Sequence, residues 1–73
     1  GILRIEIGGA RHAIVLHTGP YAELERAYDW LFRLWHPNSF EEAGDAPVYE
    51  EYLNDPSSLP PSEWKTAINL PLK

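Results

Sequence analysis

Glu50 and Glu51 stand side by side between Tyr49 and Tyr52, and it is here that the sequence offers chemistry. In an extended strand alternate side chains share a face. Glu50 then goes with Val48 and Tyr52, and Glu51 with Tyr49 and Leu53. Either parity leaves one carboxylate among apolar or aromatic neighbours. A carboxylate withdrawn from water without a partner is costly, so it needs a hydrogen-bond donor or a cationic ligand. Aromatic faces also attract cations, and the chain holds three Trp, four Tyr and two Phe, enough rings to line a pocket. Acid among rings is receptor chemistry for a lipophilic cation. The same residues also fit two solvated glutamates on a poorly buried strand with the rings in the core, and the pattern alone does not separate these readings.

Little else in the sequence is reactive. The absence of Cys excludes disulfide frameworks, thiolate metal sites, iron–sulfur clusters and Cys nucleophiles. His12, His17 and His36 lack a metal-ligand spacing, so no metal, cofactor or catalytic residue is expected. His17, two residues before Gly19-Pro20, reads as a structural or capping residue. Gly8-Gly9 is an isolated pair and not a phosphate-cradling loop. Six Lys and Arg against eleven Asp and Glu give a net charge of −5, which lacks the basic footprint of direct nucleic-acid binding. Between Leu34 and Trp64 lie Glu41, Glu42, Asp45, Glu50, Glu51, Asp55 and Glu63 without a Lys or Arg. That stretch is either a solvated acidic face or a region that draws cations. No apolar run approaches the ~20 residues of a membrane span and no signal peptide opens the chain, so a cytoplasmic protein is expected.

The elements that must position these residues are legible from their periods. Leu3, Ile5 and Ile7 alternate with Arg4 and Glu6 as in a half-buried strand, Gly8-Gly9 makes a bend, and His12–His17 reads as a second strand. Thr18-Gly19-Pro20 signals a helix start. From Tyr21 to Trp35, Leu24, Ala27, Tyr28, Leu31, Leu34 and Trp35 form one apolar stripe, with Trp30 at its edge and Asp29 placed to pair with Arg33. His36-Pro37 is expected to end the helix, because the residue before Pro is pushed out of the helical region. Val48–Leu53 is a third strand, a loop rich in Pro and Ser follows, and Trp64–Leu72 is a fourth strand with Thr66, Ile68, Leu70 and Leu72 on one face. The order strand, strand, helix, strand, strand predicts a single α+β domain over 1–73, one amphipathic helix on a mostly antiparallel sheet.

The run His17-Thr-Gly-Pro-Tyr21, the helix end Leu31-Phe-Arg-Leu-Trp35, and Pro47-Val-Tyr-Glu-Glu-Tyr-Leu-Asn-Asp55 with a closing strand at Leu70-Pro-Leu72 together resemble the gyrase-inhibitor-like (GyrI-like) family. That family includes effector-binding domains of AraC-type and some MerR-type bacterial regulators. The resemblance implies a strand–helix–strand–strand module, the second of the tandem pair that makes the usual domain. It also implies that Glu50, rather than Glu51, faces a cleft and receives cationic or polar ligand groups, with Tyr52 two positions on. Tyr21, Trp30 and Trp35 are candidate walls by position, and Trp64 closes one edge. The implied function is binding of hydrophobic, cationic small molecules, for drug sensing or sequestration, by a regulator's effector module or a stand-alone binder. Two alternatives remain: a protein-interaction role that inhibits DNA gyrase, and hydrolysis of reactive cyclopropane-bearing compounds. Half a tandem domain also predicts that a second copy of the chain, as a homodimer, or a first module elsewhere completes the pocket.

Overall fold

The structure is a computed structural model that describes residues 2–73. Strand β1 (Ile2–Ile7) turns at Gly8-Gly9 into β2 (Ala10–Thr18), with Ile7 opposite Ala10. Both glycines have positive φ, 56° and 84°, as the two-residue hairpin turns that match strand twist require. After the helix come β3 (Tyr49–Tyr52) and β4 (Lys65–Pro71). All pairings are antiparallel and the sheet order is β1-β2-β4-β3. The chain is thus the expected α+β fold, one helix on a four-stranded sheet. The strand at 48–53 is shorter than expected. Beyond Tyr49, the loop takes over that edge of β4, with Ala43 bridging Leu72 and the Gly44 N–H donating to the Pro71 carbonyl.

The helix is one continuous right-handed run in four pieces. A 3-10 turn at Tyr21–Glu23 follows Pro20, which is itself extended (ψ 148°). Then come α1 (Leu24–Asp29), a π-helical stretch at Trp30–Trp35 and a closing turn α2 (His36–Asn38). The sequence expectation that His36-Pro37 ends the helix is corrected here: His36 keeps helical φ and ψ of −60° and −47°. The cause is the π register. The His36 N–H donates to the Leu31 carbonyl, five residues back, and this wider turn relieves the clash of a mid-helix proline ring with the carbonyl four residues before it. The Asn38 side-chain amide donates to the Leu34 carbonyl at 2.7 Å, giving that acceptor a partner.

The same register corrects the apolar stripe. Leu24 and Leu31 are buried and Ala27, Tyr28 and Trp35 pack against the core, but Leu34 is more than half exposed. A π turn rotates the chain less per residue than an α turn. Counting from Leu31, Trp35 at i+4 stays on the stripe and Leu34 at i+3 swings off it. Asp29 and Arg33 form the expected ion pair at 2.7 Å on the outer side.

Beneath the helix lie Ala13 and Val15 of β2 with Ile68 and Leu70 of β4, joined by Leu72. The helix end and its following loop are clasped to the β1–β2 hairpin. The Glu41 carboxylate is shared by Arg4 at 3.2 Å and Arg11 at 2.5 Å, the Arg4 guanidinium lies 5.2 Å from the Trp35 ring centre, and His36 Nε2 is 3.0 Å from the Glu41 carbonyl. One acid of the apparently unpartnered stretch therefore has two basic partners, from strands about thirty residues away in sequence.

Leu31 and Leu34 make a direct test of the register. Leu31→Ala should lower unfolding free energy by about 2–5 kcal/mol, enough to unfold much of a chain this small. Leu34→Ala should change it by less than about 0.5 kcal/mol. Urea unfolding followed by circular dichroism reads both, and equal losses would mean that the stripe follows an unbroken α period.

Candidate functional site

The parity of β3 follows from its pairing with β4. Glu50 lies opposite Ile68 and Tyr52 opposite Thr66, while Tyr49 and Glu51 lie opposite Asn69 and Ala67. Ile68 belongs to the core beneath the helix, so Glu50 and Tyr52 stand on the helix side and Tyr49 and Glu51 on the other. On the helix side Glu50 is held by two phenols. The Tyr28 hydroxyl donates to Glu50 Oε2 at 2.6 Å, and the Tyr52 hydroxyl donates to Oε1 at 3.1 Å. Among the described residues no Lys, Arg or His forms an ion pair with Glu50.

Around this carboxylate the rings form a short ladder. Tyr21 lies 4.9 Å from Tyr52 and 4.5 Å from Trp64, centre to centre, both tilted by about a third of a right angle (35° and 33°). Trp64 is oriented by the Pro-rich loop, its indole N–H donating to the carbonyls of Leu59 at 3.0 Å and Pro56 at 3.2 Å. That loop is itself pinned, since Asn54 Nδ2 donates to the Glu63 carbonyl and Asn54 Oδ1 accepts the Lys65 N–H. Asp55 caps a turn by accepting from the Ser57 N–H and the Ser57 and Ser58 hydroxyls, bonds that lower its pKa. The Thr66 hydroxyl, on the helix side of the sheet, and the Tyr21 hydroxyl of the aromatic group are both buried without a hydrogen-bond partner among the described residues.

Of the residues expected at a site, Glu50, Tyr52, Tyr21 and Trp64 come together. Trp30 forms no ring pair with them among the described residues, and Trp35 packs with Arg4 of β1, the strand at the opposite edge of the sheet from β3. Tyr28 is the partner that sequence reasoning missed, because its place on the apolar stripe assigned it to the core. Its signal was the phenol itself: a Tyr hydroxyl on a buried stripe needs an acceptor. Two open depressions, of about 280 Å³ lined partly by Arg4, Arg11 and His12 and of about 290 Å³ lined by Ala22, Glu25, Arg26 and Asp29, do not include Glu50. The acid–aromatic group is a shelf open to solvent.

With this arrangement in view, a family comparison is decisive: the model of the GyrI-like small molecule binding domain matches residues 1–73. The chain belongs to the GyrI-like family. It is a small-molecule-binding domain, as the resemblance of its motifs implied. In this GyrI-like chain no helix among the described residues is long and apolar enough to cross a membrane.

The electrostatics of the shelf can be read from its phenols. Burial first, then the hydrogen bond to Glu50 and the charge of that carboxylate, raise the pKa of Tyr28 well above its ordinary value. For Tyr52 the hydrogen bond and charge of Glu50 come first. Both phenols thus stay neutral donors where a free tyrosine, with its pKa of about 10, begins to ionise. Because the folded values are raised, any stability from these bonds is present below pH ~10 and is lost as pH rises through them.

Two expectations follow from this geometry. In an alkaline titration of tyrosinate absorbance, Glu50→Gln should bring Tyr52 and Tyr28 into ionisation at lower pH, and an unchanged curve would show that the carboxylate does not hold them. Thr66→Val removes a buried hydroxyl that has no partner among the described residues, so thermal or urea unfolding should show unchanged stability or a gain of up to about 2 kcal/mol. A comparable loss would reveal a partner for Thr66.

Proposed function

We propose that this GyrI-like domain binds hydrophobic, cationic small molecules on the shelf formed by Glu50, Tyr52, Tyr21 and Trp64, with Tyr28 orienting the carboxylate. The observation that carries the reading is that Glu50 has hydrogen-bond donors on both oxygens and no ion-pair partner among the described residues. Its negative charge is oriented but not neutralised. A flat cation lying on the Tyr52 and Tyr21 rings would add ring attraction to that charge and displace water from both. Drug sensing or sequestration is the role this chemistry fits, with the chain acting as the effector-binding module of a bacterial transcription regulator or as a stand-alone binder in the cytoplasm.

The alternatives draw less support from the same residues. A gyrase-directed acidic face would need the acids of the 41–63 stretch to be free together. Glu41 is instead shared by Arg4 and Arg11, Glu42 lies 3.6 Å from Lys73, and Asp55 is turned onto Ser57 and Ser58. A hydrolytic role would need Glu50 to take a proton from a positioned water, whereas the contacts its oxygens make here are with two phenol donors.

Fluorescence titration with a cationic aromatic dye and a neutral dye of similar shape tests the proposal. Glu50→Gln should weaken the cation by about 1–3 kcal/mol, the range for a hydrogen bond to a charged group, and change the neutral dye much less. Glu51→Gln, on the other face of β3, should leave both unchanged. If Glu51→Gln weakens the cation while Glu50→Gln does nothing, or if neither matters, the shelf is not the site.

A further inference from the structure

The helix covers one face of the sheet only, and the other face is apolar. The register places Leu3, Ile5 and Ile7 of β1, Leu16 of β2 and Tyr49 of β3 on that uncovered side, and Leu53 continues the alternation by donating its N–H to the Lys65 carbonyl. Leu3, Ile7 and Leu16 are each more than half exposed, and the others are substantially exposed. Between them the floor is already dry, since Ala67 and Asn69 of β4 are buried although they face this way. The polar groups in the middle of the face are matched to each other, His12 Nδ1 lying 2.7 Å from Asn69 Oδ1. The charges on this side, Glu51 and Lys65, sit on β3 and at the start of β4, toward one edge of the face. The outer side of the helix is mixed, with charged Glu25, Arg26, Asp29 and Arg33 interspersed among exposed Trp30, Phe32 and Leu34.

We infer that a second copy of this chain covers this face, packing sheet on sheet. The exposed apolar side chains leave on the order of 500 Å² in water, at the upper end of what a lone domain shows as its largest patch. Two such patches brought together bury on the order of 1,000 Å², the size at which specific interfaces begin. A two-fold copy matches the area and shape of the face automatically, and two sheets of the same twist stack at about 30° with their side chains interleaved. The stacked copy also gives a small sheet the second apolar layer that its single helix cannot supply. The contact leaves β3's helix side, with Glu50 and Tyr52, open to ligand, so this inference stands apart from the proposed function.

Analytical ultracentrifugation of the 73-residue chain over a wide concentration range reads the outcome. The mass should rise from 8.3 kDa toward twice that value. Because each copy carries a net charge of −5, added salt should tighten the association by screening repulsion. Leu16→Lys and, independently, Ile7→Lys put a charge in the face at positions already exposed in one copy. Each should raise the dissociation constant at least about 100-fold with the circular dichroism spectrum retained, the scale for a charge forced into a dry contact. Leu34→Lys, equally exposed on the helix, should leave the dimer intact. A mass fixed at 8.3 kDa at every concentration, or a dimer that survives both sheet substitutions and is lost with Leu34→Lys, overturns the inference. Should one sheet variant fail to fold, the other decides. Loss of dye binding in Leu16→Lys, with its fold retained, would show that shelf and interface are coupled and would overturn their separation.

Discussion

Ile68 has Val15 opposite it in one neighbouring strand and Glu50 opposite it in the other, and it is fully buried under the helix. The placement of the acid–aromatic shelf follows from that position. A strand's side chains alternate, so fixing Ile68 inward fixes Glu50 on the helix side and Glu51 on the far side. A slip of one residue would turn Ile68 and Leu70 away from the helix and set Ala67 and Asn69 beneath it, losing much of the core's apolar packing in one step. The register is therefore held by hydrophobic burial along β4, and the orientation of the carboxylate is a consequence. Nothing local to Glu50 has to specify it.

The carboxylate in turn organises the rings that surround it. Tyr28 reaches it from the helix and Tyr52 from its own strand, so one charge ties α1 to the sheet edge. Tyr52 then contacts Tyr21, and Tyr21 contacts Trp64, whose indole is anchored on loop carbonyls. The group draws on the start of the helix, the edge strand and the Pro-rich loop, three segments far apart in the chain. The buried hydroxyls of Tyr21 and Thr66 lack partners among the described residues. Such groups cost about 1–3 kcal/mol each, so the domain gives up stability at Tyr21, within the ring group, and at Thr66, opposite Tyr52 in the sheet.

How much of this the residues disclose depends on the range of the contact involved. Alternation in 48–53 and in 64–72 is local, so the strands and the face shared by Thr66, Ile68 and Leu70 are legible directly, while the choice of Glu50 over Glu51 comes from the family resemblance and not from the pattern. The π stretch is not. Its cause is Pro37, but a proline after a helical stripe reads equally well as a stop, and the choice depends on whether the preceding turn can widen. Leu34 leaves the stripe for that reason alone. Glu41 was unreadable for a different cause, since its partners Arg4 and Arg11 lie on strands that only folding brings near. Tyr28 belongs to both cases: helical period placed its ring against the core, and only the fold puts Glu50 at the reach of its hydroxyl.

A single helix on four strands cannot cover them all, and where it stops decides what each face is able to do. The helix sits over β2 and β4, leaving β3 at the margin with Glu50 and Tyr52 still in contact with water. A charge at a margin costs little while the site is empty, because solvent still reaches it. The same charge becomes strong when a flat apolar cation covers it, because the water that screened the attraction is removed in that step. Had the helix reached β3, Glu50 would need a permanent cation of its own and would have none to offer a ligand. On the reverse face the same shortage of helix leaves Leu3, Ile7 and Leu16 uncovered, and an apolar floor whose charges, Glu51 and Lys65, keep to one edge gains by meeting another apolar surface. Incomplete coverage on one side thus leaves the charged margin to which the proposal assigns small cations, and on the other the apolar floor to which it assigns a second sheet.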